Sequence, residues 1–348
     1  MPSISLQKNL FCLLFVILLS SCSSSSERLQ EITISGRTMG TTYHIKVVSS
    51  SSMDVTRLQK EVDQRLIEIN QSMSTYLPDS EISRFNVFEK EKEPFSISAD
   101  FLKVMLQAEQ LYKLSEGAWD GTLIPLIRLW GFGGAQPLQQ LPPEDMIAEA
   151  KTHVGFDLIT IHPDGHLIKR KASVQIDLAS IAKGFGVDQI SVRLGSLGYA
   201  NHLVEIGGEV FATGRRLDGQ PWRVGINRPR AEATATEVYK VVALQDQAMA
   251  TSGDYRNFQI IEGRTYSHIV DPRSGYPVQN GVVSASVIAD NCTFADGLAT
   301  ALMVMGPQKA MALLNRLPGV EGLVVVRTPD NSLHNYYSNG MARFTQSD

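Results

Sequence analysis

Cysteine is scarce in this chain, with three in 348 residues. Cys12 and Cys22 fall in the first 22 positions, which leaves Cys292 alone in the body, where no internal disulfide can form. With Asn291 and Thr293 beside it and no histidine nearby in sequence, Cys292 reads as packing rather than as a nucleophile. A surplus of basic charge is missing too: 32 Lys and Arg against 36 Asp and Glu give a formal charge of −4. Without a basic stripe interleaved with aromatics, the electrostatic footprint of a nucleic-acid-binding protein is excluded. There is no Gly-x-Ser-x-Gly and no His-Glu-x-x-His, so esterase and zinc-protease readings fail, and no repeat period is evident.

A long apolar run is also absent. Leu10 to Leu19, LFCLLFVILL, is too short for a membrane-spanning helix but suits the core of a signal peptide. The following Leu19-Ser20-Ser21-Cys22 resembles the bacterial lipobox, in which small residues ahead of a cysteine allow lipidation of its thiol and cleavage before it. The expected organisation is a lipoprotein signal peptide at 1–21, a lipidated Cys22 with a serine-rich tether to residue 31, and one domain from 32 to 348. Such a protein would be anchored through lipid on the periplasmic face of a bacterial membrane. An ordinary signal peptide with an incidental cysteine is the alternative. Ser23 is not the aspartate that resembles an inner-membrane retention signal, so sorting to the outer membrane is permitted.

What is present is ordinary globular material, 43% hydrophobic and 20% charged, with length enough for one large domain or two intimately packed ones. Strands are expected at Ile32–Arg37 and Thr41–Val48, then a helix from Asp54 to about Met73 with a one-face stripe of Val55, Leu58, Val62, Leu66 and Ile69. A second helix, Ala99–Ser115, is capped by Ser98 and stopped by Gly117. After Trp130-Gly131-Phe132-Gly133-Gly134 comes a long proline-containing loop of the kind that often carries function. A hairpin turned at Asp164-Gly165 follows, and strands are expected at His202–Ile206, Glu209–Thr213, Trp222–Ile226, Val238–Leu244, Phe258–Ile261, Tyr266–Val270 and Val282–Ile288, with a turn over Ala250–Tyr255. Helices early and late, with strands dominating between, give an α+β fold rather than the regular alternation of a doubly wound sheet.

The stretch that organises the chain is VQIDLASIAKGFGV, Val174 to Val187. Alternation of Val174, Ile176 and Leu178 predicts a strand running directly into a helix over Ile181–Leu197. A helix start leaves backbone N–H groups that suit phosphate oxygens, Lys183 adds an ammonium, and Gly184 and Gly186 would let a ligand approach the backbone. Asp177 faces the same junction. A nucleotide site is one reading; a solvated lysine with an aspartate that caps the helix is the other.

A late helix carries the second constellation. In TFADGLATAL, Asp296 and Thr300 lie four apart on one otherwise apolar face. A carboxylate and a hydroxyl there are costly unless paired, and a hard cation such as Mg²⁺ would pair them. Otherwise the aspartate serves the helix dipole and the threonine bonds back to its own helix.

Taken in order, GRTMGTTYHI, AWDGT with WGFGG, DLASIAKGFGVD, EIGGEV, ATSGDY, SHIVDPRSGYP and ADGLATAL resemble the bacterial FAD:protein FMN transferases of the ApbE type. The resemblance covers nearly the whole chain after the lipobox. It implies an α+β protein of two closely joined parts with FAD in the cleft between them. It further implies an Mg²⁺-dependent transfer of the FMN half of FAD to a threonine of a target protein, through a phosphoester, with release of AMP. The partners implied are FAD and flavoprotein subunits of membrane electron-transport complexes. Residue by residue, Met39, Tyr76, Ala118, Trp119, Asp120, Asp177, Lys183 and Ile269 match FAD-contacting positions. Asp296 and Thr300, with backbone carbonyls near Ser180 and Ala299, match the metal site. His268 is the candidate base, although a lone histidine also serves as a structural hydrogen-bonder. Two departures are Gly297, where alanine is common in the family motif, and Gly186, where a bulkier residue often stands. Two other readings use the same residues: an Mg²⁺-dependent FAD pyrophosphatase giving FMN and AMP, and a non-catalytic flavin-binding lipoprotein.

Overall fold

A computed structural model describes residues 28–50, 52–230, 237–255 and 257–345. The signal-peptide and lipidation expectations, Cys22 included, lie outside the described residues. Among the described residues no helix is long and apolar enough to cross a membrane.

An eight-stranded antiparallel sheet forms the centre. Its strands, in spatial order, are Leu29–Thr38, Thr41–Ser50, His202–Ile206, Glu209–Thr213, Gln247–Gly253, Val282–Ala289, Glu321–Arg327 and Leu333–Tyr337. The period-two pattern divides their side chains between two layers. Val204 and Ile206 pack beneath helices Val55–Met73 and Ala179–Ser196, together with Leu58, Val62, Val187 and Ile190. Leu203, Val210 and Ala212 turn the other way, toward Trp222, Ile226, Val242 and Leu244 of a two-stranded hairpin, Trp222–Asn227 with Val238–Leu244. Helix Cys292–Met305 lies on the helical side, buried almost all round, against Val104, Leu111, Ile181 and Ala250. Its uniform burial explains why an almost entirely apolar sequence surrounds Asp296.

The first half adds helices Glu81–Asn86, Ala99–Leu114, Ile124–Leu129 and Glu144–Lys151, with a small sheet ordered Pro94–Ser96, His166–Lys169, Ile159–His162. The Asp164-Gly165 hairpin forms as expected. A further two-stranded hairpin, Phe258–Ile261 with Arg264–Ser267, packs Gln259 onto the Trp130–Gly131 backbone.

The structure corrects three sequence expectations. Val174–Leu178 is extended and buried at Val174, Ile176 and Leu178, but it joins no sheet. The Asn86 side chain takes the place of a neighbouring strand, bonding both backbone groups of Ile176 at 2.8 Å, while Asp177 N–H donates to Gly121 O. Residues 250–253 belong to a strand of the main sheet, where Ser252 and Gly253 pair with Ala285 and Ser284. Gly184 and Gly186 do not open the backbone to a ligand. A Cβ on Gly184 would fall on the Cys292 carbonyl, and one on Gly186 would meet Met39 Cε at 3.0 Å, so both glycines let the two central helices and the first hairpin close up.

Candidate functional site

A cavity of about 660 Å³ opens between the segments of the first half and the main sheet, a size ordinary for a site that holds a large organic ligand. The Trp119–Gly121 turn, the start of helix Ala179–Ser196, the end of strand Gln247–Gly253 and the His268–Val270 segment all reach it. Of the residues singled out from sequence, Tyr76, Ala118, Trp119, Asp120, Asp177, Ser180, Lys183, His268, Ile269, Asp296 and Thr300 line this space. Met39 and Ala299 do not. Met39 sits in a left-handed turn (φ 49°) and packs behind Gly186, and Ala299 is enclosed within its helix.

The helix start takes the structural form of the two read from sequence, with its first N–H groups engaged within the chain. Asp177 Oδ1, one residue before the N-cap Leu178, accepts from Ala179 N–H at 2.8 Å, so this carboxylate occupies the first helical N–H and also borders the cavity. Burial raises its proton affinity, with partial relief from that bond and from the Arg128 guanidinium. Ser180 Oγ accepts from the Trp119 indole N–H at 3.0 Å, which ties the Ala118–Asp120 turn to the helix.

Asp120 spends its carboxylate locally. Oδ1 accepts from the N–H and hydroxyl of Thr122 at 2.7 and 2.6 Å, and Oδ2 from Phe156 N–H at 3.1 Å. Burial pushes its pKa up to about 6 despite those bonds. In this structure Asp120 shapes the turn, and Ala118 and Trp119 form the wall.

The polar centre is a trio. Lys183 Nζ lies 2.7 Å from Glu209 Oε1 and 3.7 Å from Asp296 Oδ1, and Asp296 Oδ2 accepts from Gly184 N–H at 3.0 Å. Glu209 and Asp296 are 3% exposed, and Glu209 Oε2 is buried with no hydrogen-bond partner. Two carboxylates against one ammonium leave an excess negative charge out of water. Burial, compounded by the neighbouring Asp296 charge, raises Glu209, and burial likewise raises Asp296. Burial works against the Lys183 charge, but Asp296 and Glu209 outweigh it and hold the amine protonated.

Beside the trio, Thr300 Oγ1 and Ser252 Oγ share a hydrogen bond of 3.0 Å. Carboxylate and hydroxyl oxygens, with an orphaned buried carboxylate oxygen and surplus negative charge, are the donors a hard divalent cation requires. Among the described residues no cluster of three or more His, Cys, Asp or Glu side chains forms a closed cage. A cation here would complete its shell with water or ligand oxygens, as Mg²⁺ characteristically does.

The opposite character comes from Leu123, Ile127, Phe132 and Val304, with Tyr76 at the rim, 91% exposed. That exposure excludes a core role for Tyr76 and leaves an aromatic face free to stack. His268 Nδ1 lies 3.0 Å from Asn257 O; a carbonyl only accepts, so Nδ1 carries the proton and Nε2 the lone pair. Burial lowers the pKa of the imidazole below its ordinary value, only partly offset by that bond, and the ring meets the Phe132 edge.

Sequence reasoning missed Glu209, Ser252 and Arg128 as wall residues. An acid directly after Gly207-Gly208 at a strand start was the available signal for Glu209, and the ATSGDY motif for Ser252; Arg128 carried none.

A family model described as the ApbE family matches residues 39–324. A Haemophilus influenzae FAD:protein FMN transferase is 38% identical over 332 residues, covering 94% of this chain and 95% of its own length. The Vibrio cholerae FAD:protein FMN transferase is 40% identical over 338 residues, covering 96% and 98%. The solved flavin transferase ApbE from Vibrio cholerae aligns with a TM-score of 0.82 at 40% identity, over 91% of this chain and all of its own. The apo form of Pseudomonas stutzeri flavinyl transferase ApbE gives 0.82 at 35% identity, over 92% and 98%.

Proposed function

The chain belongs to the ApbE family, and from that premise we propose that it is a flavin transferase that moves the FMN half of FAD onto a threonine hydroxyl of an acceptor flavoprotein and releases AMP. The observation that carries this reading is the joining, in one cavity, of an apolar wall with an exposed aromatic ring to the Lys183, Glu209 and Asp296 trio. The first suits a flavin ring, and the second a pyrophosphate with its counter-cation.

In the reaction the acceptor oxygen attacks the FMN-side phosphorus, a new P–O bond forms, and the bond to the bridging oxygen breaks to give AMP. His268 Nε2 takes the hydroxyl proton, for which its neutral, carbonyl-anchored tautomer is suited. Lys183 binds phosphate oxygens. Asp296 and Thr300, with Ser180 nearby, would hold Mg²⁺, which when bound polarises the pyrophosphate and neutralises charge on the leaving group. Tyr76 stacks on the flavin, and Ile269 borders the nucleotide. The acceptors are flavoprotein subunits of membrane electron-transport complexes, and Cys22 carries the lipid that keeps the enzyme at the periplasmic face of the membrane where they lie.

The test is the intact mass of an acceptor domain incubated with the purified chain, FAD and Mg²⁺, beside Asp296→Ala. A mass gain equal to FMN, absent without metal and in the variant, supports the transfer. Unmodified acceptor with FMN and AMP accumulating means hydrolysis instead, and intact FAD throughout leaves a binding protein.

A further inference from the structure

Lys183 has two anions within 4 Å and favours one of them. Its Nζ is 2.7 Å from Glu209 Oε1 but 3.7 Å from Asp296 Oδ1, although both carboxylates are equally buried. An ammonium and a divalent cation compete for the same carboxylate, so a lysine in contact with Asp296 would have to be displaced before a metal could bind there. Lys183 is on a flexible stem, and a movement of about an ångström would close the remaining gap.

We propose that Glu209 is a positioning residue: it holds the Lys183 ammonium away from Asp296 and so keeps that carboxylate available to a divalent cation. The inference rests on the reading of Asp296 as a metal-binding residue. Three features of Glu209 favour it. Glu209 follows the Gly207-Gly208 turn at the first residue of its strand, which fixes the carboxylate's origin in the sheet. Its Oε1 accepts the shortest ion pair in the cavity. Its Oε2 accepts no hydrogen bond, so the side chain is not retained as part of a saturated structural network, where both oxygens would be engaged. Asp120 is the contrast in the same cavity, with both oxygens bonded to its own loop and its neighbour.

The test is Mn²⁺ affinity, read from the free-ion magnetic-resonance signal without FAD, for the full chain and for Asp296→Ala, Glu209→Gln, Lys183→Met and the Glu209→Gln/Lys183→Met double variant. Glu209→Gln is expected to weaken Mn²⁺ binding about tenfold or more, the range typical when a residue that orients a metal site is removed. In the Lys183→Met background the same substitution should cost at least about fivefold less, because no ammonium remains to fall onto Asp296 and only the lost charge is felt. If Glu209→Gln has no effect, or costs the same factor in both backgrounds, the positioning role is overturned; the second result means that Glu209 acts through its charge alone. Should Glu209→Gln fail to fold by thermal melting, Glu209→Asp, which keeps the charge but shortens the arm that holds the ammonium, decides: weaker Mn²⁺ binding with Lys183 present but not in the Lys183→Met background supports the proposal, and no change or an equal loss in both backgrounds overturns it. Wild-type affinity in Asp296→Ala would instead remove the metal reading on which the inference rests, a separate failure.

Discussion

The Asn86 carboxamide brackets Ile176: its Nδ2 donates to Ile176 O and its Oδ1 accepts from Ile176 N, both at 2.8 Å. One side chain thus supplies what a neighbouring strand would otherwise supply, immediately before Asp177 and the start of helix Ala179–Ser196. Asn86→Leu keeps the approximate volume but leaves two buried backbone groups unpaired, at about 1 to 3 kcal/mol each. A loss of roughly 2 to 6 kcal/mol in denaturant unfolding is expected, with weaker FAD binding by fluorescence titration. An unchanged unfolding midpoint would show that water replaces the amide.

Gly297 is explained by its neighbours. A Cβ there would collide with Leu111 Cδ1 and approach Ile181 Cγ2 at 2.6 Å, so the space an alanine would fill in this motif is already taken by Leu111. Gly297→Ala should destabilise the protein by about 1 to 3 kcal/mol through overpacking, despite alanine's better helix propensity. Adding Leu111→Val should recover part of that loss. Thermal melts of the two variants check this, and stabilisation by Gly297→Ala alone would refute it.

These two positions show what the sequence could and could not convey. Stripes such as Leu58, Val62 and Leu66 repeat with the helix period, and strands such as His202–Ile206 alternate, because a single packed face imprints itself locally. Val174, Ile176 and Leu178 alternate just as clearly, yet alternation reports which side chains are buried and says nothing about what the backbone bonds to. Gly184 and Gly186 were legible as close approaches, but whether to a ligand or to Cys292 and Met39 depends on residues far away in the chain. Lys183, Asp296 and Thr300 stood out because polar residues in apolar helices demand a reason. Glu209 did not, since its reason is a lysine that only the folded chain brings within 2.7 Å.

Asp120 makes a stability prediction with a definite sign. Its folded pKa is about 6, above the ordinary carboxylate value, because burial opposes the charge more than the Thr122 and Phe156 bonds favour it. The folded state therefore holds this proton more tightly than the unfolded state. The stability it contributes is complete below about pH 4 and is lost as pH rises through about 6, at up to about 1.4 kcal/mol per unit. Asp120→Asn abolishes that slope while giving up one acceptor oxygen. The stability advantage of wild type over Asp120→Asn should shrink between pH 4 and pH 7 in parallel denaturant titrations; a constant difference would mean that Asp120 does not titrate in this range.

His268 ties protonation to the chemistry. Burial lowers its pKa below the ordinary 6.5, and the bond from Nδ1 to Asn257 O leaves Nε2 as the acceptor in the neutral ring. A base must be unprotonated to act, so the rate of acceptor modification should be flat near neutral pH and fall at acid pH, with a midpoint below 6.5. His268→Ala should slow modification by about 10²- to 10⁴-fold and abolish this acid limb. The same depression affects folding: stability is lost as pH falls from 6.5 through the folded value, because the unfolded chain takes up the proton first. Thermal midpoints at each pH therefore have to accompany the rates, so that a fall in rate is scored only where the protein remains folded. If the variant keeps the acid limb, with its loss confined to stability or FAD affinity, His268 is a structural hydrogen-bonder and the proton leaves by another route.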